Sequence, residues 1–321
     1  MRAIQVTAHG GPDVLSLTTV DDPVTAADEV LVRTGAAGVN FIDTYLRRGM
    51  YPSAPPYIPG SEIAGTVVAV GSSVTDRSVG DRVATVNAPG GYAELVAVPA
   101  GRTVVLPDAV TDDVAGSSML RGLTAHYLLD GSAHPAAGDT VLVHAGAGGV
   151  GLILTQLAKL RGLRVITTVS SDDKEVLSRE AGADHVLRYS DDLTAQVRDL
   201  TAGDGVTVVY DGVGADTFEQ SLTSTAVRGT VVLYGAASGP VPPFDLQRLN
   251  GLGSLSVTRP TLAHFIARPD ELSWRAGELF GAVADGDVKV RVGQSYALAD
   301  AAQAHRDLEA RITTGSTVLI P

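Results

Sequence analysis

The sequence predicts an α/β protein in which a doubly wound parallel sheet accompanies a separate β-rich domain. Three observations carry this expectation. From Thr140 onward, short apolar strands alternate with helical stretches, the rhythm of a sheet covered by helices on both faces. A glycine cluster, HAGAGGVG at 144–151, stands where the first of those strands gives way to its helix. The first 120 residues instead carry short strands punctuated by Gly-Gly, Gly-Asp and Pro-Pro, which reads as a β-rich domain.

Taken in order, the first stretch predicts strands over 29–34 (EVLVRT), 62–70 (EIAGTVVAV), 81–86 (DRVATV) and 92–98 (YAELVAV). Residues 39–48 (VNFIDTYLRR) read as a loop entering a helix, and 112–129 carry apolar residues at helical spacing. Beyond Thr140 the expected strands are 140–145, 164–169, 185–189, 206–211, 230–234 and 254–258, with helices near 150–160, 174–181, 192–200 and 217–225. Runs such as VTVVYD and TVVLYG are almost continuously apolar, as strands buried on both faces are. A helix over 271–285, a short helix over 301–311 and a last strand over 316–320 follow. That strand has no hairpin partner nearby, so it is expected to return to the first domain's sheet.

Composition narrows the function. The 321 residues are 45% hydrophobic and 19% charged, enough for one large core or two moderate ones. Cysteine is absent, which removes disulfides, thiolate nucleophiles, iron–sulfur clusters and thiolate-ligated zinc. With 24 Lys plus Arg against 36 Asp plus Glu, the net charge of −12 opposes general nucleic-acid binding. The start, MRAIQVTAHGG, lacks a continuous apolar export segment, and the weakly polar stretch 141–158 is broken by glycines, His144 and Gln156. No membrane span and a cytoplasmic location are therefore expected.

Gly146, Gly148 and Gly151 form G-x-G-x-x-G directly after the apolar strand TVLVHA and before a helix and a second strand, RVITTV. That is the setting of a Rossmann dinucleotide site. The first glycine is expected to permit the tight turn, the second to let backbone approach a pyrophosphate, and the third to allow close helix packing, with the helix N-terminus favouring the anion. A turn that needs glycine for shape alone is the plainer alternative. An NAD site usually carries an acidic residue about 20 positions on to hold the ribose 2′-hydroxyl. Ser170 and Ser171 stand there instead, with Lys174 a turn later, so NADPH is expected. Asp172 and Asp173 would repel a 2′-phosphate if they faced it, or merely favour the helix N-terminus.

These features resemble the zinc-free, ζ-crystallin-like quinone oxidoreductases of the medium-chain dehydrogenase/reductase superfamily. The likeness spans essentially the whole chain. Its most specific part is Gly138-Asp139, Leu142, the run Gly146-Ala147-Gly148-Gly149-Val150-Gly151, Gln156 and Lys159. Segments 9–15, 38–52, 59–67, 80–83, 120–129, 208–214 and 257–260 and the ending GSTVLIP add to it. The resemblance implies a GroES-like catalytic domain from residues 1–122 and 263–321, an inserted nucleotide domain at 123–262, and an active site in the cleft between them. Zinc-dependent relatives place a cysteine near NFID and a histidine in a G-H-E segment; this chain has Asn40 and Gly60-Ser61-Glu62 there. Zinc-activated alcohol oxidation is thereby disfavoured, and neither zinc nor flavin is expected.

By the same resemblance, Asn40, Tyr45 and Thr124 would face the nicotinamide or substrate, and Gly146 and Gly148, Gly149, Val150 and Gly151 would hold the pyrophosphate. Ser170, Lys174, Tyr189 and Arg311 would serve the 2′-phosphate. Gly214, Gly235, Ala236 and Arg259 would lie toward the nicotinamide.

A hydride acceptor needs a polar group for its developing oxyanion. Asn40, Tyr45 and Tyr51 are the candidate donors, though Asn40 also reads as a turn-capping amide and Tyr51 as a half-buried turn aromatic. Asp43 could transfer a proton or cap the helix it heads. Arg121 could be a substrate-facing cation or a solvated one. His144, within a strand, reads as structural.

The expected activity is NADPH-dependent reduction of a quinone or related conjugated carbonyl, and the resemblance implies a homodimer paired through the last sheet strand, around 254–258. An enone, alkenal or enoyl-thioester reductase is the alternative enzyme. A nucleotide-binding sensor or RNA-binding protein with incidental activity is the alternative of another class.

Overall fold

A computed structural model of the chain describes residues 1–189 and 192–321. It divides into two compact units, Met1–Arg121 together with Arg268–Pro321, and Gly122–Ala267.

The second unit is built on six parallel strands in the order His185–Arg188, Arg164–Val169, Thr140–Val143, Val206–Asp211, Thr225–Leu233 and Ser256–Thr258. Two consecutive crossovers carry the chain outward from Thr140–Val143. It then returns to lay Val206–Asp211 on the other side of that strand and proceeds in the opposite direction. The strand order reverses between these two central strands, and ligands of such sheets bind outside the carboxyl ends at that point. Helices Gly149–Leu160, Asp172–Glu180, Leu193–Leu200 and Phe218–Ser224 supply the crossovers. Leu142, Ile166, Val209 and Val231 from the strands and Phe218 and Leu222 from a helix form one core, the reason the strand runs read as continuously apolar.

The first unit holds a seven-stranded sheet in the order Val292–Ala297, Ser316–Ile320, Glu29–Gly38, Ile63–Val70, Arg82–Thr85 and Val104–Val105, with Leu95–Pro99 added beside Glu29–Gly38. The ten-residue strand Glu29–Gly38 organises it. One edge takes Ile63–Val70; along the other, Leu95–Pro99 pairs with residues 29–33 and the last strand pairs with residues 37–38. The returning C-terminal strand is thus present, antiparallel to Glu29–Gly38 and parallel to Val292–Ala297. Val30, Val32, Ile63, Val67 and Leu319 share a core with Tyr92 and with Leu308 of helix Ala301–Glu309.

Several elements depart from the sequence expectation. Thr225–Leu233 begins five residues earlier than predicted, because residues 225–229 (TAVRG) continue the strand through an irregularity in which Arg228 takes φ 64°. The helix expected over 217–225 accordingly ends at Ser224. Arg2–Val6 and Leu15–Thr19 form a small antiparallel pair, and Val292–Ala297 is a strand, none of which the sequence reading had placed. No helix among the described residues is long and apolar enough to cross a membrane.

Candidate functional site

The glycine turn of the second unit follows the strand Thr140–Val143. The left-handed residue of this turn is Ala145, at φ 53°. Gly146 is required for space. A Cβ there would stand 2.5 Å from Thr167 Cβ and 2.8 Å from Ser178 Oγ, against the next strand and helix. A Cβ on Gly151 would come within 2.3 Å of the Ala145 carbonyl oxygen and 2.9 Å of Gly146 Cα, so the helix presses directly on the turn. Gly148 differs: its Cβ would meet only Ala145, at 3.1 Å from the carbonyl oxygen, and otherwise enters open space. Gly149–Leu160 starts after Gly148 with no side-chain cap, which leaves the N–H groups of its first turn, including those of Gly149, Val150 and Gly151, for an anion.

At the end of Arg164–Val169, Ser171 caps the helix Asp172–Glu180 by accepting the Lys174 N–H, and Lys174 Nζ donates to Ser170 Oγ at 3.3 Å. Arg188 lies 2.5 Å from Asp172 and 2.7 Å from Glu175, so a cation the sequence reading had not singled out answers both carboxylates. Tyr189 receives the Ala145 N–H on its hydroxyl at 2.9 Å and stacks on the buried ring of His144. Burial pushes His144 down, keeping it neutral. His144 is structural, as expected: its nitrogens meet Thr168 Oγ1 at 2.8 Å and Ser221 Oγ at 3.1 Å.

Two further loops leave the carboxyl ends of Val206–Asp211 and Thr225–Leu233 and lie back to back. A Cβ on Gly214 (φ 96°) would sit 2.6 Å from the Gly239 carbonyl and 3.1 Å from Ala236 Cα; one on Gly235 would sit 2.3 Å from the Gly212 carbonyl. The side chain that shapes the first loop is Asp211. It is buried and accepts the N–H groups of Val213 and Gly214 and the hydroxyls of Thr217 and Ser221. Arg259 follows the strand Ser256–Thr258 at the same end of the sheet, and Thr124 is buried in the helix Asp112–Tyr127.

In the first unit Asn40 is the residue before the helix Phe41–Arg47. Its N–H donates to Asp43 Oδ2 at 2.8 Å, and the Asp43 N–H returns to the Asn40 carbonyl at 3.0 Å. Asp43 thus caps the helix, one of its two expected roles. The Asn40 side chain takes part in the turn through a reciprocal capping box with Asp43, and it also reaches across the fold: Nδ2 donates to Glu62 Oε2 at 2.7 Å, while Glu62 Oε1 accepts the Leu120 N–H at 2.7 Å. Both carboxylates are buried. Burial pushes Asp43 up to about 7 against the lowering effect of its Asn40 and Tyr92 hydrogen bonds. It raises Glu62 too, against the pull of Arg121.

Arg121 corrects the sequence reading. It is not solvated: its guanidinium is buried and donates to the carbonyls of Ser117 at 2.5 Å and Val39 at 2.6 Å. Tyr45 is half-buried and forms a short aromatic series with Phe41 and Tyr51, at ring separations of 6.4 and 6.0 Å. Tyr51 is exposed rather than half-buried. Arg311 lies in the first unit, just past the helix Ala301–Glu309, with φ 58°.

The donor set at Asn40 and Glu62 does not fit a zinc site of the thiolate or imidazole kind. The chain has no cysteine, and the carboxamide and carboxylate at these positions are engaged with one another and with a backbone N–H.

Comparison with known proteins places this geometry. A family model described as "Alcohol dehydrogenase GroES-like domain" matches residues 26–108, and one described as "Zinc-binding dehydrogenase" matches residues 149–274. The quinone oxidoreductase of Pseudomonas aeruginosa is 47% identical over 100% of this chain and 99% of its own length. The chain belongs to the quinone oxidoreductase family of the medium-chain dehydrogenases and reductases. Within that family, a mycobacterial protein solved in complex with NADPH superposes with a TM-score of 0.98 at 56% identity, each chain covered in full. The 2-haloacrylate reductase of a Burkholderia species is 40% identical over 100% of this chain and 99% of its own. As a member of the family the chain is an oxidoreductase with a GroES-like and a Rossmann-type unit.

Proposed function

We propose that the protein is an NADPH-dependent quinone reductase that works without zinc or flavin. The observation that carries this reading is the uncapped helix at Gly149, fronted by the open Gly148, with Ser170 and Lys174 at the strand end where an NAD site carries an acid. The full-length likeness to a quinone oxidoreductase and to an NADPH complex supports it. Gly148 to Gly151 would hold the pyrophosphate, Ser170 and Lys174 the 2′-phosphate, with Arg188 drawing Asp172 and Glu175 away from it. Thr124, Gly214, Gly235, Ala236 and Arg259 would bound the nicotinamide, while Tyr189 and Arg311 would add to the phosphate end.

NADPH, when bound, would supply a hydride, and the acceptor would take it with a proton drawn from solvent to become the quinol. The chain's own share is to orient the acceptor and to stabilise the oxyanion that the hydride leaves behind. Asn40 retains one amide N–H after serving Glu62, and the hydroxyls of Tyr45 and Tyr51 are further donors. The rings of Phe41, Tyr45 and Tyr51 suit a flat conjugated acceptor. Reduction of an activated C=C bond is the second reading, favoured by the 2-haloacrylate reductase likeness, because conjugate hydride addition generates the same kind of oxyanion.

NADPH oxidation on adding a small benzoquinone is expected, unchanged by prior dialysis against a metal chelator. The same assay with an enone and a haloacrylate ranks the two readings. No turnover with any quinone overturns the first reading, and loss of activity on chelation with recovery on adding zinc overturns the metal-free mechanism. For the cofactor, Lys174→Ala is expected to raise the Kd of NADPH about tenfold while leaving NADH within about twofold, the loss of one charge-assisted contact. Titration by nicotinamide fluorescence measures it; equal weakening of both would show that Lys174 does not read the 2′-phosphate.

A further inference from the structure

We propose that Tyr92 and His305 are positioning residues for the reaction, holding Asn40 through a hydrogen-bond chain of fixed direction that ends on Asp43. The inference rests on the acceptor-facing role of Asn40 proposed above.

Chemistry fixes the direction of the chain. Arg47 NH1 lies 2.9 Å from His305 Nδ1; a guanidinium only donates, so Nδ1 accepts. Burial beside Arg47 pushes His305 down to about 3, leaving a neutral ring whose single proton is on Nε2. Nε2 lies 3.1 Å from the Tyr92 hydroxyl, which therefore accepts from it and turns its own proton to Asp43 Oδ2 at 3.0 Å. That oxygen also receives the Asn40 N–H at 2.8 Å. The Tyr92 and His305 rings meet edge to face at 5.8 Å, which holds the imidazole in line. Arg47 is completely buried and is anchored by Glu309 at 2.6 Å.

Asn40 is consequently gripped from two sides. The chain through Asp43 fixes its backbone, and Glu62 fixes its carboxamide, since a carboxylate offers only acceptors and the NH2 must face it. A helix cap needs Asn40 and Asp43 alone. Bringing a guanidinium, an imidazole and a phenol into the core behind that cap is costly unless their order sets a geometry, and the only end of the chain that reaches a proposed reacting position is Asn40.

Tyr92→Phe is the cleanest test, because it removes the hydroxyl and keeps the ring. With benzoquinone as acceptor, its kcat is expected to fall about tenfold, with the KM for NADPH within about twofold of wild type, in a protein that still folds but melts a few degrees lower because the buried His305 Nε2–H loses its acceptor. His305→Leu should behave alike. His305→Gln, whose amide offers one acceptor and one donor, should recover most of the loss. If one chain is at work, the double variant Tyr92→Phe/His305→Leu loses no more than the worse single variant. A Tyr92→Phe kcat within twofold of wild type, a Gln variant no better than Leu, or single losses that multiply in the double variant would each overturn the inference. Asn40→Ala separates the two layers: a large loss there with none in Tyr92→Phe removes the inference alone, whereas wild-type kcat in Asn40→Ala removes the role of Asn40 and the inference with it.

Discussion

Gly151→Ala is expected to abolish measurable NADPH binding and to destabilise the protein, whereas Gly148→Ala is expected to weaken binding in a protein that still folds. The difference lies in what the added methyl meets. At Gly151 it would stand 2.3 Å from the Ala145 carbonyl oxygen and 2.9 Å from Gly146 Cα. Both are backbone atoms, so no side chain can swing aside; the helix Gly149–Leu160 must lift off the turn. Overpacking of this kind costs about 1–3 kcal/mol, and the displaced helix carries the first-turn N–H groups away from the phosphate position. At Gly148 the methyl would meet the Ala145 carbonyl at 3.1 Å and then open space. Its stability cost is about 1 kcal/mol or less, that of alanine at an N-cap. The methyl would nevertheless stand where a pyrophosphate approaches, and a rise of about tenfold or more in the Kd of NADPH is expected. Thermal melts and fluorescence titration of the two variants measure the contrast. Equal melting temperatures for the two, or unchanged NADPH affinity in Gly148→Ala, would show that the turn does not work this way.

This contrast also marks how far the sequence could be read. G-x-G-x-x-G after an apolar strand located the turn, because that motif is local and its strand and helix are periodic. The division of labour among the glycines was not local. Gly146 is constrained by Thr167 and Ser178, more than 20 residues on, and the left-handed position went to Ala145. The same limit hid the buried polar network. Asn40 meets Glu62 across 22 positions, Tyr92 meets Asp43 across 49, and Tyr92 meets His305 across 213. No spacing rule spans such gaps, so Tyr92 and His305 drew no notice and the burial of Arg121 could not be read. The strand Thr225–Leu233 was read short for a related reason. Gly229 and Arg228 resemble a turn in sequence, yet a Cβ on Gly229 would lie 2.8 Å from the Thr207 carbonyl, so glycine serves there to let neighbouring strands approach. What could be read was periodicity and a contiguous motif; what could not was which distant polar groups share a buried volume.

Asp211→Ala is expected to be the most destabilising single change in the nucleotide unit outside its apolar core. The carboxylate is fully buried at the end of the strand Val206–Asp211. Oδ1 receives the Val213 N–H at 2.8 Å and the Gly214 N–H at 3.0 Å, and Oδ2 receives the Thr217 hydroxyl at 2.8 Å and the Ser221 hydroxyl at 2.7 Å. Alanine would leave two N–H groups and two hydroxyls without this acceptor in a buried space. Each unsatisfied group costs about 1–3 kcal/mol, and the hydroxyls can partly reorient, so a loss of about 3–5 kcal/mol is expected. In a unit of this size that corresponds to a fall of roughly 10 °C in melting temperature. Asn is the informative control. Its oxygen can still serve Val213 and Gly214, but its NH2 faces two hydroxyls that now must accept. Ser221 already accepts from His144 Nε2, because Ser221 donates to Asp211 in the native chain. In Asp211→Asn the Ser221 proton therefore loses its acceptor, and a loss of about 1 kcal/mol is expected. Because Gly214 hangs directly on Asp211, the Ala variant should also bind NADPH more weakly than its remaining folded fraction explains. Denaturant melts with parallel NADPH titration give both quantities. An Ala variant within 1 kcal/mol of wild type would mean that the loop is held by the approach of Gly214 to Gly239 and Ala236 rather than by the carboxylate.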